Sequence, residues 1–123
     1  MKTILIIDDE DTILDVLRRF LEKIGYVVST AKTWEMGFEY LDSHTFDLVM
    51  LDVHMPGKDG FQVSKEIRAM RPGQRIIIMT GLQAGSVYDY YTSSEADFDD
   101  IVYKPFSFDK IKQIVERVLE EAK

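Results

Sequence analysis

Five polar residues stand directly after short apolar runs of the sequence, and their types suit metal and phosphoryl chemistry. Asp8 and Asp9 follow "ILII", Asp52 follows "LVML", Thr80 follows "IIIM" and Lys104 follows "IVY". Carboxylates brought together repel each other unless a cation lies between them. A carboxylate can accept a phosphoryl group, while a metal ion, a lysine and a hydroxyl take up the charge on the transferring group.

The rest of the sequence predicts elements that bring these residues to one place. Apolar runs predict strands at 3–7, 26–30, 46–51, 75–79 and 100–103, and helical spacing predicts helices at 13–24, 33–43, 61–70 and from Ser107 to the C-terminus. The stretch 84–94 is ambiguous. Alternating strands and helices predict an α/β fold with a parallel sheet covered on both faces. Ligands bind such sheets beyond the carboxyl ends of the strands, where the five residues fall.

Local signals mark several helix ends. Thr33 and Ser107 precede helical patterns and are predicted N-caps, and Gly25 is a predicted stop. Read alone, "DDED" (8–11) also fits a helix N-terminus, where acids are favourable, and Glu10 or Asp11 is expected to cap the first helix. Capping therefore remains an alternative to a cation site for this run.

Composition narrows the function further. The chain has 123 residues and a formal net charge of −7, which argues against nucleic acid or an anionic membrane as the main partner. Cysteine is absent, and His44 and His54 are the only histidines, which leaves little for zinc or copper. Oxygen ligation favours Mg²⁺, with Mn²⁺ as a substitute. Without a long apolar run or signal-like N-terminus, we expect one cytoplasmic domain spanning 1–123.

Each of the candidate residues has an ordinary structural alternative. Asp52 could be a turn residue, Lys104 a solvated surface lysine and Thr80 a helix cap. The sequence contains no Walker A motif and no glycine-rich dinucleotide loop, so no ATP site is predicted.

Four segments together resemble the receiver domain of bacterial two-component response regulators, of the single-domain chemotaxis or sporulation-phosphorelay type. They are "ILIIDDED", "LVMLDVHMPGKDG", "IIIMTG" and "VYKPF", and the resemblance spans essentially the whole chain. It implies a doubly wound, flavodoxin-like sheet of five parallel strands in the order 2-1-3-4-5, flanked by five helices. It also implies a cis peptide bond before Pro105.

The resemblance further implies a role for each site residue. The implied metal ligands are Asp8, Asp9, Asp52 and the backbone carbonyl of His54. Asp52 would accept a phosphoryl group from a phosphohistidine on a sensor histidine kinase or phosphotransferase. Lys104 would pair with the phosphoryl oxygens, and Thr80 would turn its hydroxyl onto them.

A receiver domain of this kind is a switch rather than an enzyme with an external substrate. It would promote only its own aspartyl phosphorylation and dephosphorylation. A downstream protein would bind the face made by the fourth helix, the fifth strand and the last helix. The receiver itself would be a monomer or a phosphorylation-dependent dimer. The chain could be a stand-alone receiver or the N-terminal domain of a longer regulator.

The sequence departs from the usual receiver pattern on this output side. Ile101 stands where an aromatic switch residue is common, Gly81 replaces the usual alanine, and the stretch from 80 to 104 is about two residues longer than is typical. Tyr103 shares a strand face with Ile101 and lies nearer the site. The coupling from Thr80 to the output face is therefore expected to be atypical.

Two other functions remain open at this stage. The first is an interaction module of the same fold that does not depend on phosphorylation, but retention of all the site residues argues against it. The second is a Mg²⁺-dependent phosphatase or hydrolase with an aspartyl intermediate. Such enzymes commonly carry a second acid two residues after the nucleophile, a position that His54 occupies here.

Overall fold

The chain alternates strands and helices, as the sequence predicts. The structure is a computed structural model, and it describes residues 1–81 and 98–121. The elements are β1 (Thr3–Ile7), α1 (Asp11–Lys23), β2 (Val27–Ala31), α2 (Trp34–Ser43), β3 (Leu48–Asp52), α3 (Gly60–Met70), β4 (Arg75–Thr80), β5 (Asp100–Tyr103) and α4 (Phe108–Glu121). All five predicted strands are confirmed: β1 and β5 have the predicted ends, and the ends of the other three differ by at most two residues. The ambiguous stretch 84–94 lies outside the described residues, which contain four of the five implied helices.

The five strands form one parallel sheet in the order β2-β1-β3-β4-β5, which confirms the predicted order. Ile7 at the end of β1 pairs with Ala31 on one side and Leu51 on the other. Thr80 at the end of β4 pairs with Tyr103 at the end of β5. The residues that follow these strands are consequently brought to the same edge of the sheet.

Both faces of the sheet are covered, and alternate residues of each strand point to opposite sides. One core holds Ile4, Ile6, Met50, Ile77, Met79 and Val102 of the sheet against α1 and α4. The other holds Leu5, Ile7, Val49, Leu51, Ile76 and Ile78 against α2 and α3. Burial on both faces explains why the strands read as unbroken apolar runs rather than as alternating ones.

The predicted stop of α1 at Gly25 and the predicted N-caps of α2 and α4 are confirmed. The Thr33 hydroxyl accepts a hydrogen bond from the Met36 N–H (3.1 Å), and the Ser107 hydroxyl accepts one from the Lys110 N–H (3.1 Å). Gly25 ends α1 with a φ of 106°, a left-handed conformation that favours glycine. Among the helices within the described ranges, none is long and apolar enough to cross a bilayer.

Candidate functional site

The carboxyl edge of the sheet brings Lys104 between two buried carboxylates. The Lys104 Nζ lies 2.9 Å from Asp8 Oδ2 and 3.4 Å from Asp52 Oδ2. Asp8 is completely buried and Asp52 is 3% exposed. Charged groups are seldom buried without a partner, so this contact excludes the interpretation of Lys104 as an ordinary surface lysine.

Four carboxylates cluster at the same place. They belong to Asp8, Asp9, Glu10 and Asp52, and each offers an oxygen within 4.8 Å of the others. Asp9 and Glu10 are exposed while the other two are buried, so the cluster opens to solvent on one side. Mg²⁺ typically takes one or two carboxylates and keeps several water ligands, and an all-oxygen, half-open cluster fits that requirement. Asp8, Asp9 and Asp52 therefore converge as predicted, whereas Glu10 was not predicted as a member.

The prediction that Glu10 or Asp11 caps α1 is confirmed for the position of Glu10 but not for a side-chain capping bond. Glu10 occupies the N-cap position, but its side chain makes no capping hydrogen bond, and Asp11 already lies inside the helix. Nearby cations attract both side chains instead: Glu10 Oε1 lies 3.6 Å from Lys104 Nζ, and Asp11 Oδ1 lies 2.8 Å from Lys32 Nζ. The acidic run therefore lies both at the edge of the sheet and at the N-terminus of α1, where Asp11 in the first turn is favourable.

Burial and charge shift two pKa values in the site. Burial raises the pKa of Asp8 above its usual 3.8, against the opposing effects of the Glu10 N–H and the Lys104 ammonium. For Lys104, burial alone would lower the pKa, but the hydrogen bond to Asp8 and the charges of Asp8, Asp52 and Glu10 raise it overall. Lys104 is therefore a cation at neutral pH, and one cation does not balance four nearby carboxylates.

His54 links Asp52 to Thr80, a contact that the sequence did not predict. The His54 backbone N–H donates to Asp52 Oδ1 (2.9 Å), and its ring Nε2 lies 2.9 Å from the Thr80 hydroxyl oxygen. Thr80 is buried at the end of β4, where its carbonyl accepts a hydrogen bond from the Lys104 N–H (2.7 Å). His54 itself is exposed.

The last strand places two residues near this network. Tyr103 pairs in register with Thr80 and is 38% exposed. Ile101 packs against the core of α2 and α3, while Val102 points into the opposite core, so alternation puts Tyr103 on the face of Ile101, as predicted. The peptide bond between Lys104 and Pro105 is cis, which confirms that prediction.

Comparison with known proteins supports the receiver-domain interpretation of the sequence. The profile of the family "Response regulator receiver domain" matches residues 4–116. The chain is 39% identical over 116 residues to the probable transcriptional regulator ycf27 of Cyanidium caldarium. The aligned region covers 94% of this chain and 45% of that protein. It is 32% identical over 121 residues to the alkaline phosphatase synthesis transcriptional regulatory protein PhoP of Bacillus subtilis, covering 98% and 50%. The chain spans about half the length of these curated relatives.

Solved structures agree in fold. The response regulator protein TrrA of Thermotoga maritima, in complex with Mg²⁺-BeF, matches with a TM-score of 0.83 at 38% identity, covering 96% of this chain and 99% of that one. A CheY-like receiver domain protein of Methanospirillum hungatei matches with a TM-score of 0.90 at 28% identity, covering 99% and 96%. The chain belongs to the response regulator receiver domain family of two-component systems.

Proposed function

We propose that this chain is a phosphorylation-dependent signalling switch in which Asp52 accepts the phosphoryl group. The observation that carries the proposal is the Asp52 carboxylate itself: it is buried, lies 3.4 Å from the Lys104 ammonium and belongs to a cluster of four acids. The donor would be a phosphohistidine on a sensor histidine kinase or a phosphotransferase, the partners implied by the family.

In the transfer step, an oxygen of Asp52 forms a bond to phosphorus as the bond from phosphorus to the donor nitrogen breaks. The other ring nitrogen of the donor carries a proton, so the nitrogen that keeps the electron pair leaves as a neutral imidazole. Asp52 Oδ1 is held by the His54 N–H, while Oδ2 faces Lys104, so the two oxygens are already distinguished. The Lys104 ammonium can then bond the oxygens of the arriving phosphoryl group and take up their charge.

We propose that a metal would be held by Asp8, Asp9 and Asp52, whose carboxylates cluster, together with the backbone carbonyl of His54, a ligand that the family resemblance implies. Mg²⁺, or Mn²⁺ in its place, would supply there the positive charge that offsets the carboxylates and the phosphoryl oxygens. The TrrA structure, which holds Mg²⁺-BeF, supports this assignment by likeness. Lys104 supplies the second positive charge, from the side of the site that is buried.

The output would be a changed protein-binding surface. The proposed surface comprises β5, α4 and the fourth helix that the family resemblance implies, which would fall outside the described residues. We propose that it binds a downstream protein, that the chain itself contacts neither nucleic acid nor membrane, and that it works in the cytoplasm. The net charge of −7 supports this choice of partner. Beyond promoting its own phosphorylation and the hydrolysis of its acyl phosphate, the chain would catalyse nothing.

The direct test is the intact mass after incubation with acetyl phosphate and Mg²⁺. We expect the mass of one phosphoryl group to be added, and expect none in the Asp52→Asn variant or in excess chelator. The Asp42→Asn variant, an exposed acid of α2, is the matched control and should be phosphorylated normally. If neither acetyl phosphate nor a phosphohistidine donor modified the chain, the phosphorylation-independent interaction module would be the better interpretation.

The metal can be followed separately through Trp34, the only tryptophan of the chain. Trp34 is 5% exposed and lines a cavity of about 340 Å³ together with Asp9, Met55 and Lys58. We expect the emission of Trp34 to change in a saturable manner as Mg²⁺ is added. The Asp9→Asn variant should bind Mg²⁺ at least about tenfold more weakly. An unchanged affinity in that variant would remove Asp9 from the metal site.

A further inference from the structure

One side chain joins the phosphoacceptor to the switch hydroxyl. His54 is fixed by its backbone N–H to Asp52 Oδ1, and its ring Nε2 shares a hydrogen bond of 2.9 Å with the Thr80 hydroxyl. Either group can donate, according to the imidazole tautomer, and in both cases the bond fixes the position of the Thr80 oxygen. The contact spans the gap between the loop after β3 and the end of β4.

This contact competes with the movement that the switch requires. If Asp52 carries a phosphoryl group, three new oxygens appear beside the His54 backbone, and the Thr80 hydroxyl must turn to reach them. Thr80 is buried and its carbonyl is bonded to the Lys104 N–H, so the ends of β4 and β5 are joined at the residue whose side chain reorients. Any free energy that holds the hydroxyl on the imidazole is therefore lost on activation.

We propose that His54 is a positioning residue that holds Thr80 in its resting orientation and so lowers the affinity of the site for the phosphoryl group. The inference rests on the proposed function and concerns how phosphorylation of this site is regulated. His54 is exposed as a residue, but its bond to Thr80 is partly buried, so it contributes as a single hydrogen bond of ordinary strength that phosphorylation can break. The side chain acts through Thr80, while the backbone of residue 54 keeps its separate contact with Asp52.

The test is the affinity for beryllofluoride, a phosphoryl mimic, measured in Mg²⁺ from the ¹⁹F resonance of the bound species. The His54→Ala variant should bind about fivefold more tightly, the change that a net hydrogen bond of about 1 kcal/mol gives. The His54→Gln variant, whose amide can still reach the hydroxyl, should lie within about twofold of the parent. Both substitutions leave the backbone contact to Asp52 unchanged.

A double-mutant cycle with Thr80→Val separates this role from a structural one. Without the hydroxyl, His54→Ala should change the affinity by less than about 1.5-fold. An equal gain in both backgrounds, a loss of affinity in His54→Ala, or a His54→Gln variant that binds as tightly as the alanine variant would overturn the inference while leaving the proposed function intact. A parent protein that binds no beryllofluoride in Mg²⁺ would overturn both.

Discussion

The convergence of carboxylates predicts that Asp52→Asn stabilises the protein when no divalent metal is present. The substitution keeps the shape and an oxygen that can accept from the His54 N–H, and it removes one buried negative charge. Removing a charge from an excess of like charges should raise the free energy of unfolding, although it also removes an attraction to Lys104.

Distances in the site set the size of these opposing effects. Carboxylate oxygens of Asp8 and Asp52 lie within 4.8 Å, which at an effective dielectric constant of about 20 corresponds to a repulsion of about 3.5 kcal/mol. The attraction of Lys104 Nζ for Asp52 Oδ2 at 3.4 Å is about 5 kcal/mol on the same basis. Burying a carboxylate costs several kcal/mol more, which the amide avoids. The balance favours the variant by about 1–3 kcal/mol.

Thermal unfolding in excess chelator at pH 7 measures this difference. A gain of 2 kcal/mol in a domain of this size raises the Tm by about 8 °C. Asp42→Asn makes the same charge change on the exposed face of α2 and should alter the stability by less than about 0.5 kcal/mol. In Mg²⁺ the advantage of Asp52→Asn should shrink or reverse, since the parent gains more from the metal. A Tm below that of the parent in chelator would refute the claim that the carboxylates are in excess.

Three further substitutions test other parts of the structure. Burial raises the pKa of Asp8, so between pH 3.8 and that raised pKa the metal-free native state binds more protons than the unfolded state. The free energy of unfolding should therefore fall as the pH rises through this range. Urea titrations of the Asp8→Asn variant should show a smaller fall. Lys104→Ala leaves two buried carboxylates without their ammonium, so it should lower the metal-free unfolding free energy by about 3 kcal/mol, with partial recovery in Mg²⁺, and slow phosphorylation. A Cβ at Gly60 would lie 2.3 Å from the Val53 Cα, so Gly60→Ala should destabilise by about 2–3 kcal/mol, whereas Gly73→Ala, with open space around it, should be nearly neutral in the same urea assay.

The sheet and its edge were predictable because they depend on the order and polarity of short segments. Five apolar runs separated by helical patterns allow few topologies, and the residue after each run must lie at the carboxyl edge. Asp8, Asp52 and Lys104 meet there, although they are far apart in the sequence. The family resemblance added the strand order and the cis bond before Pro105, which the polarity pattern alone does not determine.

Side-chain partners could not be predicted in the same way. Periodicity assigns a residue to a face or an edge, but it does not say which carboxylates are buried or what an exposed imidazole touches. Glu10 was therefore assigned to a helix cap although it lies beside Lys104, and the contact between His54 and Thr80 has no sequence signal. Both depend on the rotamers and separations of residues brought together by the fold.

Asp99 illustrates the same limit at the opposite end of the sheet. It accepts a hydrogen bond from the Ile76 N–H (2.8 Å) and forms ion pairs with Arg68 and Arg75. These contacts anchor the start of β5 beside β4 and thereby fix its register. In the sequence, Asp99 is only one of several acids in "SSEADFDD", and nothing distinguishes it from the other acids of that run.

The position of Thr80 indicates a route by which a change at Asp52 would be transmitted to the output face, although residue 101 is not aromatic. Thr80 pairs with Tyr103 in the sheet, and its carbonyl holds the Lys104 N–H at 2.7 Å. A shift of Thr80 would therefore act directly on the strand end that carries both Lys104 and the partly exposed Tyr103. Because Ile101 packs into the core, it is poorly placed to rotate, whereas Tyr103 has solvent on one side. The backbone contact of Thr80 and the partly exposed Tyr103 therefore support coupling through β5 as part of the proposed switch.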